Sequence, residues 1–134
     1  MEAKRILIVD DDADIHMLLR KWFEYFGFVC LSAYSVQSAL MKLESDDLDL
    51  VILDLNFPGD DEDGIDFLRQ AKEHLPGDHE LPPIIVASCR SDESVMRTVM
   101  TIGAVGYISK PYAPQALMAM IRKKVEGLVS VSAN

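Results

Sequence analysis

Arg5-Ile6-Leu7-Ile8-Val9-Asp10-Asp11-Asp12 opens the chain's first apolar run and ends it on three acids. Four aliphatic residues in a row, without alternation, describe a strand covered on both faces, because a half-exposed strand places a polar residue at every second position. The design returns at Asp49-Leu50-Val51-Ile52-Leu53-Asp54. With the first strand read as Arg5 to Asp10, the others are expected at Phe28 to Ser32, Asp49 to Asp54, Pro83 to Ser88 and Val105 to Ser109. These five runs alternate with five helical patterns. That order predicts an α/β fold of repeated βα units, in which a five-stranded parallel sheet carries helices on both faces.

The helical stretches are punctuated as helices should be. Ile15, Leu18, Leu19, Trp22, Phe23 and Phe26 recur at steps of three and four and are expected to face the sheet, and Gly27 stops the helix. A second helix is expected over Ser35 to Ser45, with Ser35 as N-cap and Ala39, Leu40 and Leu43 inward. The third runs from Gly64 to His74, with Ile65, Leu68 and Ala71 inward. The fourth starts at Ser91 or Asp92 and ends at Ile102 before Gly103, and the fifth spans Pro114 to Glu126, with Pro suited to a first turn. Ser130 to Asn134 is expected to fray.

A chain of 134 residues, 49% apolar, suffices for one compact domain and leaves no room for two. No stretch approaches the roughly 18 to 20 apolar residues that cross a bilayer, so a soluble, cytoplasmic protein with no membrane insertion is expected. A net charge of -9 argues against direct nucleic-acid binding, which needs clustered cations. Cys30 and Cys89 are too few for a disulfide scaffold and are expected as small buried hydrophobes. His16, His74 and His79 have no ligand-like neighbours in sequence, and a plain surface role is expected for His16.

Ligands of open parallel sheets bind beyond the carboxyl ends of the strands, so the residues there carry the chemistry. Strand one ends in Asp10-Asp11-Asp12, strand three in Asp54, strand four in Ser88 and strand five in Ser109-Lys110, whereas Leu31-Ser32-Ala33 at the end of strand two offers little. Asp12 reads as a helix N-cap. The remaining acids repel one another unless a cation neutralises them, and Lys110 alone supplies too little charge. A divalent ion with oxygen ligands, Mg²⁺ or else Mn²⁺, is therefore expected, and with it phosphoryl chemistry. An acyl phosphate on Asp54 would have its oxygens neutralised by the metal, by Lys110 and by the Ser88 hydroxyl.

Ile8-Val9-Asp10-Asp11-Asp12, Leu53-Asp54-Leu55-Asn56-Phe57-Pro58, Val86-Ala87-Ser88-Cys89 and Ser109-Lys110-Pro111 together resemble the motifs of the CheY-like receiver domains of two-component response regulators. The resemblance covers residues 4 to 127 and implies a single doubly wound (βα)5 domain of flavodoxin-like type. It implies that Asp10 and Asp11 are the acidic pair, Asp54 the phosphoacceptor and Asn56 a metal ligand through its backbone carbonyl. Ser88 would be the switch hydroxyl, Tyr107 the aromatic residue coupled to it, and Lys110, before a cis peptide to Pro111, the contact to the phosphoryl group. The donor would be a phosphohistidine on a histidine kinase or phosphotransfer protein, with Mg²⁺ required. The chain departs from the family's usual pattern in a longer, more acidic connection from Pro58 to Gly64, in Cys89 and in Phe57.

The switch the resemblance implies acts through the helix 4, strand 5 and helix 5 surface, read by a partner or by a second copy of the domain. Val95, Met96, Val99 and Met100, with Leu117 to Ile121, are apolar around more than one face; they either cover the sheet or form a docking patch. The acidic loop fails the EF-hand pattern, since Gly59 and Gln70 stand where ligands belong, and reads as solvated. Two rivals are an aspartyl-phosphate hydrolase and a receiver-like module that binds without switching. The first wants an acid two residues after Asp54, where Asn56 stands.

Overall fold

The computed structural model describes residues 3–74, 80–90, 92–125 and 127–128. Its five strands are β1 (Arg5–Val9), β2 (Val29–Ala33), β3 (Leu50–Leu53), β4 (Ile84–Ser88) and β5 (Gly106–Ser109). All pair in parallel in the order β2-β1-β3-β4-β5, so the chain steps outward from β1 to β2 and then crosses back to β3. That reversal puts the topological switch point between β1 and β3, where a crevice forms at the carboxyl ends. The helices are α1 (Ala13–Tyr25), α2 (Val36–Ser45), α3 (Gly64–His74), α4 (Glu93–Ile102) and α5 (Pro114–Lys124).

The unbroken apolar runs mark the central strands, as expected: β1, β3 and β4 are buried on both faces apart from Arg5. Alternate residues divide between two cores. Leu7, Val9, Val51, Leu53, Ile84 and Val86 join α2, α3 and α4 through Ala39, Phe67, Leu68 and Val99. Ile6, Ile8, Leu50, Ile52 and Ile85 pack on the other face against Leu19, Phe23, Leu117 and Ile121 of α1 and α5. The doubly wound α/β architecture expected from the sequence is therefore present.

Several boundaries and faces differ from expectation. The strands stop one residue short of Asp10 and Asp54, because both acids turn into the loops beyond the ladder; β2, β3, β4 and β5 also begin one residue later, and β2 runs on to Ala33. Leu18 and Phe26 are exposed, since only part of the apolar stripe of α1 fits under the helix and Phe26 is already its C-cap. Gly27 then takes φ +90°, a conformation that favours glycine. Cys30 is buried, and burial raises its thiol to about 11; Cys89 is exposed, because it lies just past the end of β4. On α4, Val95 and Val99 are buried while Met96 and Met100 stay exposed.

Local capping follows the sequence closely. Ser35 caps α2 and exchanges bonds with Ser38, and Asp12 caps α1 by accepting from the Asp14 N–H at 2.9 Å. Asp63 and Asp66 cap the start of α3 reciprocally, at 2.9 and 3.0 Å. The expectations for Ser91, His79, Glu126 and the 130–134 tail lie outside the described residues.

Candidate functional site

The ladder brings the strand-end acids together. Val9 pairs with Leu53, the Asp54 N–H donates to the Val9 carbonyl at 2.8 Å, and the Asp10 N–H donates to that of Ala33 at 3.1 Å. Asp10 and Asp54 thus leave neighbouring strands at one height. On the other side Ser88 pairs with Ser109, the Lys110 N–H donates to the Ser88 carbonyl at 2.9 Å, and the Lys110–Pro111 peptide is cis.

Lys110 reaches back across the edge. Its Nζ lies 2.7 Å from Asp10 Oδ2 and 3.5 Å from Asp54 Oδ2. Asp10 is 3% exposed and Asp54 5%, so the attraction acts where water screens little. Asp10 Oδ1 accepts from the Asp12 N–H at 2.9 Å, and Asp54 Oδ1 from the Leu55 N–H at 2.8 Å. Asp11 is exposed, yet one carboxylate oxygen from each of Asp10, Asp11 and Asp54 falls within 4.8 Å of the others. Lys110 is paired with two of these three carboxylates, Asp10 and Asp54, and its single charge leaves two negative charges of the cluster uncompensated.

That imbalance shapes the ionisation of the site. Burial raises the Asp54 carboxyl above its ordinary range; Lys110 opposes this, the Asp10 charge adds to it, and the backbone N–H groups of Asn56 and Leu55 oppose it weakly. For Lys110, burial disfavours the ammonium, but the hydrogen bond to Asp10 and the charges of Asp10 and Asp54 outweigh it and raise its pKa. Tyr112 is pushed up to about 12, chiefly by burial. A hard divalent cation fits this donor set: the ligands are all oxygen, two are held by backbone donors, and the missing charge is that of one dication.

Ser88 is fully buried, and its Oγ accepts from the Arg90 N–H at 3.2 Å. Tyr107, on β5 beside it, packs against the α2–α3–α4 core, and its buried hydroxyl has no hydrogen-bond partner among the described residues. Burial raises its pKa; the Ser88 hydroxyl is near enough to oppose the shift, although no hydrogen bond of normal geometry joins the two. Asn56 meets Asp54 through its backbone N–H.

His16 corrects the sequence reading. It is 2% exposed, with Nε2 2.7 Å from the Asp10 carbonyl oxygen and Nδ1 3.0 Å from Ser32 Oγ. Ser32, at the strand end thought to offer little, also accepts from Arg20 Nη2 at 2.7 Å. A signal was available: His16, Leu19 and Phe23 are spaced i, i+3, i+7 and form the buried face of α1.

A parallel sheet whose carboxyl edge sets buried acids against one lysine defines a class of α/β domains whose chemistry centres on a carboxylate. The chain belongs to the response regulator receiver domain family, whose sequence pattern matches residues 6–122, and it is a receiver domain of two-component response regulators. It is 36% identical over 117 residues to the KDP operon transcriptional regulatory protein KdpE of Escherichia coli (strain K12), covering 87% of this chain and 49% of that one. It is 34% identical over 123 residues to the phosphate regulon transcriptional regulatory protein PhoB of Pseudomonas aeruginosa, covering 91% and 52%. The chain spans about half the length of these curated relatives. Among solved structures, a CheY-like response regulator receiver domain protein from Methanospirillum hungatei JF-1 superposes with a TM-score of 0.82 at 28% identity, covering 95% of this chain and 97% of that one.

Proposed function

We propose that Asp54 accepts a phosphoryl group from a phosphohistidine on a histidine kinase or phosphotransfer protein in the cytoplasm, and that the phosphorylated domain signals by changing its surface. The observation that carries this is the convergence of the Asp10 and Asp54 carboxylates on the Lys110 ammonium, 2.7 and 3.5 Å away. An Asp54 oxygen attacks phosphorus as the P–N bond breaks, and the donor imidazole, already protonated on its other ring nitrogen, takes the bonding pair and leaves neutral. Lys110, held ready by Asp10, meets the charge that gathers on the phosphoryl oxygens. Asp10, Asp11, Asp54 and the Asn56 backbone carbonyl would hold Mg²⁺, with Mn²⁺ a substitute, and the ion would supply the charge neutralisation that lets an anionic nucleophile approach an anionic donor.

Ser88 follows the phosphoryl oxygens, and Tyr107 follows Ser88, which biases the surface of α4, β5 and α5 toward a partner or a second copy of the domain. The buried Tyr107 hydroxyl, without a partner among the described residues, supports this, since an unsatisfied polar group favours a conformation in which it finds a partner. The domain catalyses only its own phosphorylation and slow dephosphorylation. The experiment is incubation with acetyl phosphate and Mg²⁺, read by intact mass. The expected result is one added phosphoryl group that disappears without Mg²⁺ and in Asp54→Asn; modification that persists in that variant would overturn the assignment.

A further inference from the structure

The Asp10 main chain ends a ladder and starts a turn, so its carbonyl has no strand to donate to it, and the group that does donate is the His16 imidazole at 2.7 Å. A carbonyl oxygen only accepts, which places the proton of that bond on Nε2. Arg20 Nη2 donates to Ser32 Oγ, which directs the Ser32 hydrogen to His16 Nδ1. The hydrogen bonds therefore run in one direction, from Arg20 through Ser32 and His16 to the Asp10 carbonyl, and give the Ser32 hydroxyl and both His16 nitrogens a partner. Arg20 is itself fixed by donating Nη1 to the Cys30 carbonyl at 3.0 Å, and the Tyr34 ring lies 4.1 Å from the imidazole and covers it.

The carbonyl that His16 holds belongs to the Asp10–Asp11 peptide, and the plane of that peptide sets the direction in which Asp11 leaves the chain. The Asp11 side chain is exposed and makes no hydrogen bond among the described residues, so the backbone is what aims its carboxylate at Asp10 and Asp54. We infer that His16 is a positioning residue for the metal-binding turn: by fixing the Asp10–Asp11 peptide through Nε2 it presents the Asp11 carboxylate to the cation shared with Asp10 and Asp54. This rests on the reading of that turn as a Mg²⁺ site. Groups outside a ligand set that orient it commonly matter almost as much as the ligands.

The test is calorimetric titration of Mg²⁺ into metal-free protein, alongside thermal unfolding in chelator. His16→Gln keeps an amide that can donate to the Asp10 carbonyl, and His16→Met matches its length and bulk without a donor. The expected result is a Mg²⁺ dissociation constant raised about tenfold in His16→Met and largely restored in His16→Gln, while the two variants unfold at similar temperatures without metal. Equal Mg²⁺ affinity in both variants and in the unaltered protein would overturn the inference and leave the metal site standing, as would equal weakening in both. Failure of the unaltered protein to take up Mg²⁺ would instead remove the metal site, and this role of His16 with it.

Discussion

Asp54 is a buried carboxylate held a few ångströms from another, and burial raises its pKa above the ordinary value near 3.8. Its ionised form is therefore less stable in the folded chain than in the unfolded one. This cost is present above the folded pKa and disappears as pH falls to the unfolded value, where both states carry the proton. Asp54→Asn removes it. In chelator at neutral pH the variant is expected to unfold at a higher urea concentration than the parent, and the gap should close as pH falls toward 4. A gap that is constant with pH, or of opposite sign, would mean that Lys110 fully compensates the charge. Asn56 bears on the rival chemistry at this scale. An amide cannot give a leaving group its proton as a carboxylic acid can, so nothing two residues past Asp54 does the work of a hydrolase's general acid.

The elements show why a strand-end acid becomes a site. Gly64 opens α3 beneath the Asp54 backbone: a Cβ there would press into the Asp54 carbonyl oxygen and lie 2.7 Å from the Leu55 Cα. Its N–H also donates to the Leu55 carbonyl at 3.0 Å. Because backbone on both sides must move, Gly64→Ala should cost about 3 kcal/mol, the upper range for overpacking, and slow acetyl phosphate modification of Asp54 by displacing its main chain. A variant with parental stability and rate would show that the α3 terminus yields freely. Much at this scale is legible in the sequence: Leu50 to Leu53, an unbroken aliphatic run too short for a helix of its own, reads as a strand buried on both sides, and the strand carries Asp54 to the sheet's carboxyl edge whatever the details of its ends. His16 was not. Six apolar residues of α1 outlined a face broader than the sheet covers, and the true centre of that face, between Leu19 and Phe23, took in a polar residue instead of Leu18. Ser32 escaped for a related reason, since its hydroxyl gains meaning only from Arg20 and His16 on a helix its own sequence neighbourhood does not reveal.

For the molecule as a whole, the acid site is one part of a chain with net charge -9, and two kinds of cation effect must be told apart. Diffuse screening of that charge stabilises the compact state with any salt at equal ionic strength. Binding at the proposed Asp10, Asp11 and Asp54 site would stabilise it through mass action, because the three carboxylates converge only when β1 and β3 are paired. Mg²⁺ at one hundred times its dissociation constant should add about 2.7 kcal/mol, and at roughly 4 °C per kcal/mol in a domain of this size the melting temperature should rise by about 10 °C. NaCl of matched ionic strength should give a small part of that rise. Asp10→Asn and Asp11→Asn should each abolish most of the magnesium-specific part while leaving the salt effect intact. If NaCl reproduces the whole shift, the acids at the strand ends act only as part of the molecule's diffuse charge, and the fold must tolerate the cluster's excess of two negative charges without a bound ion.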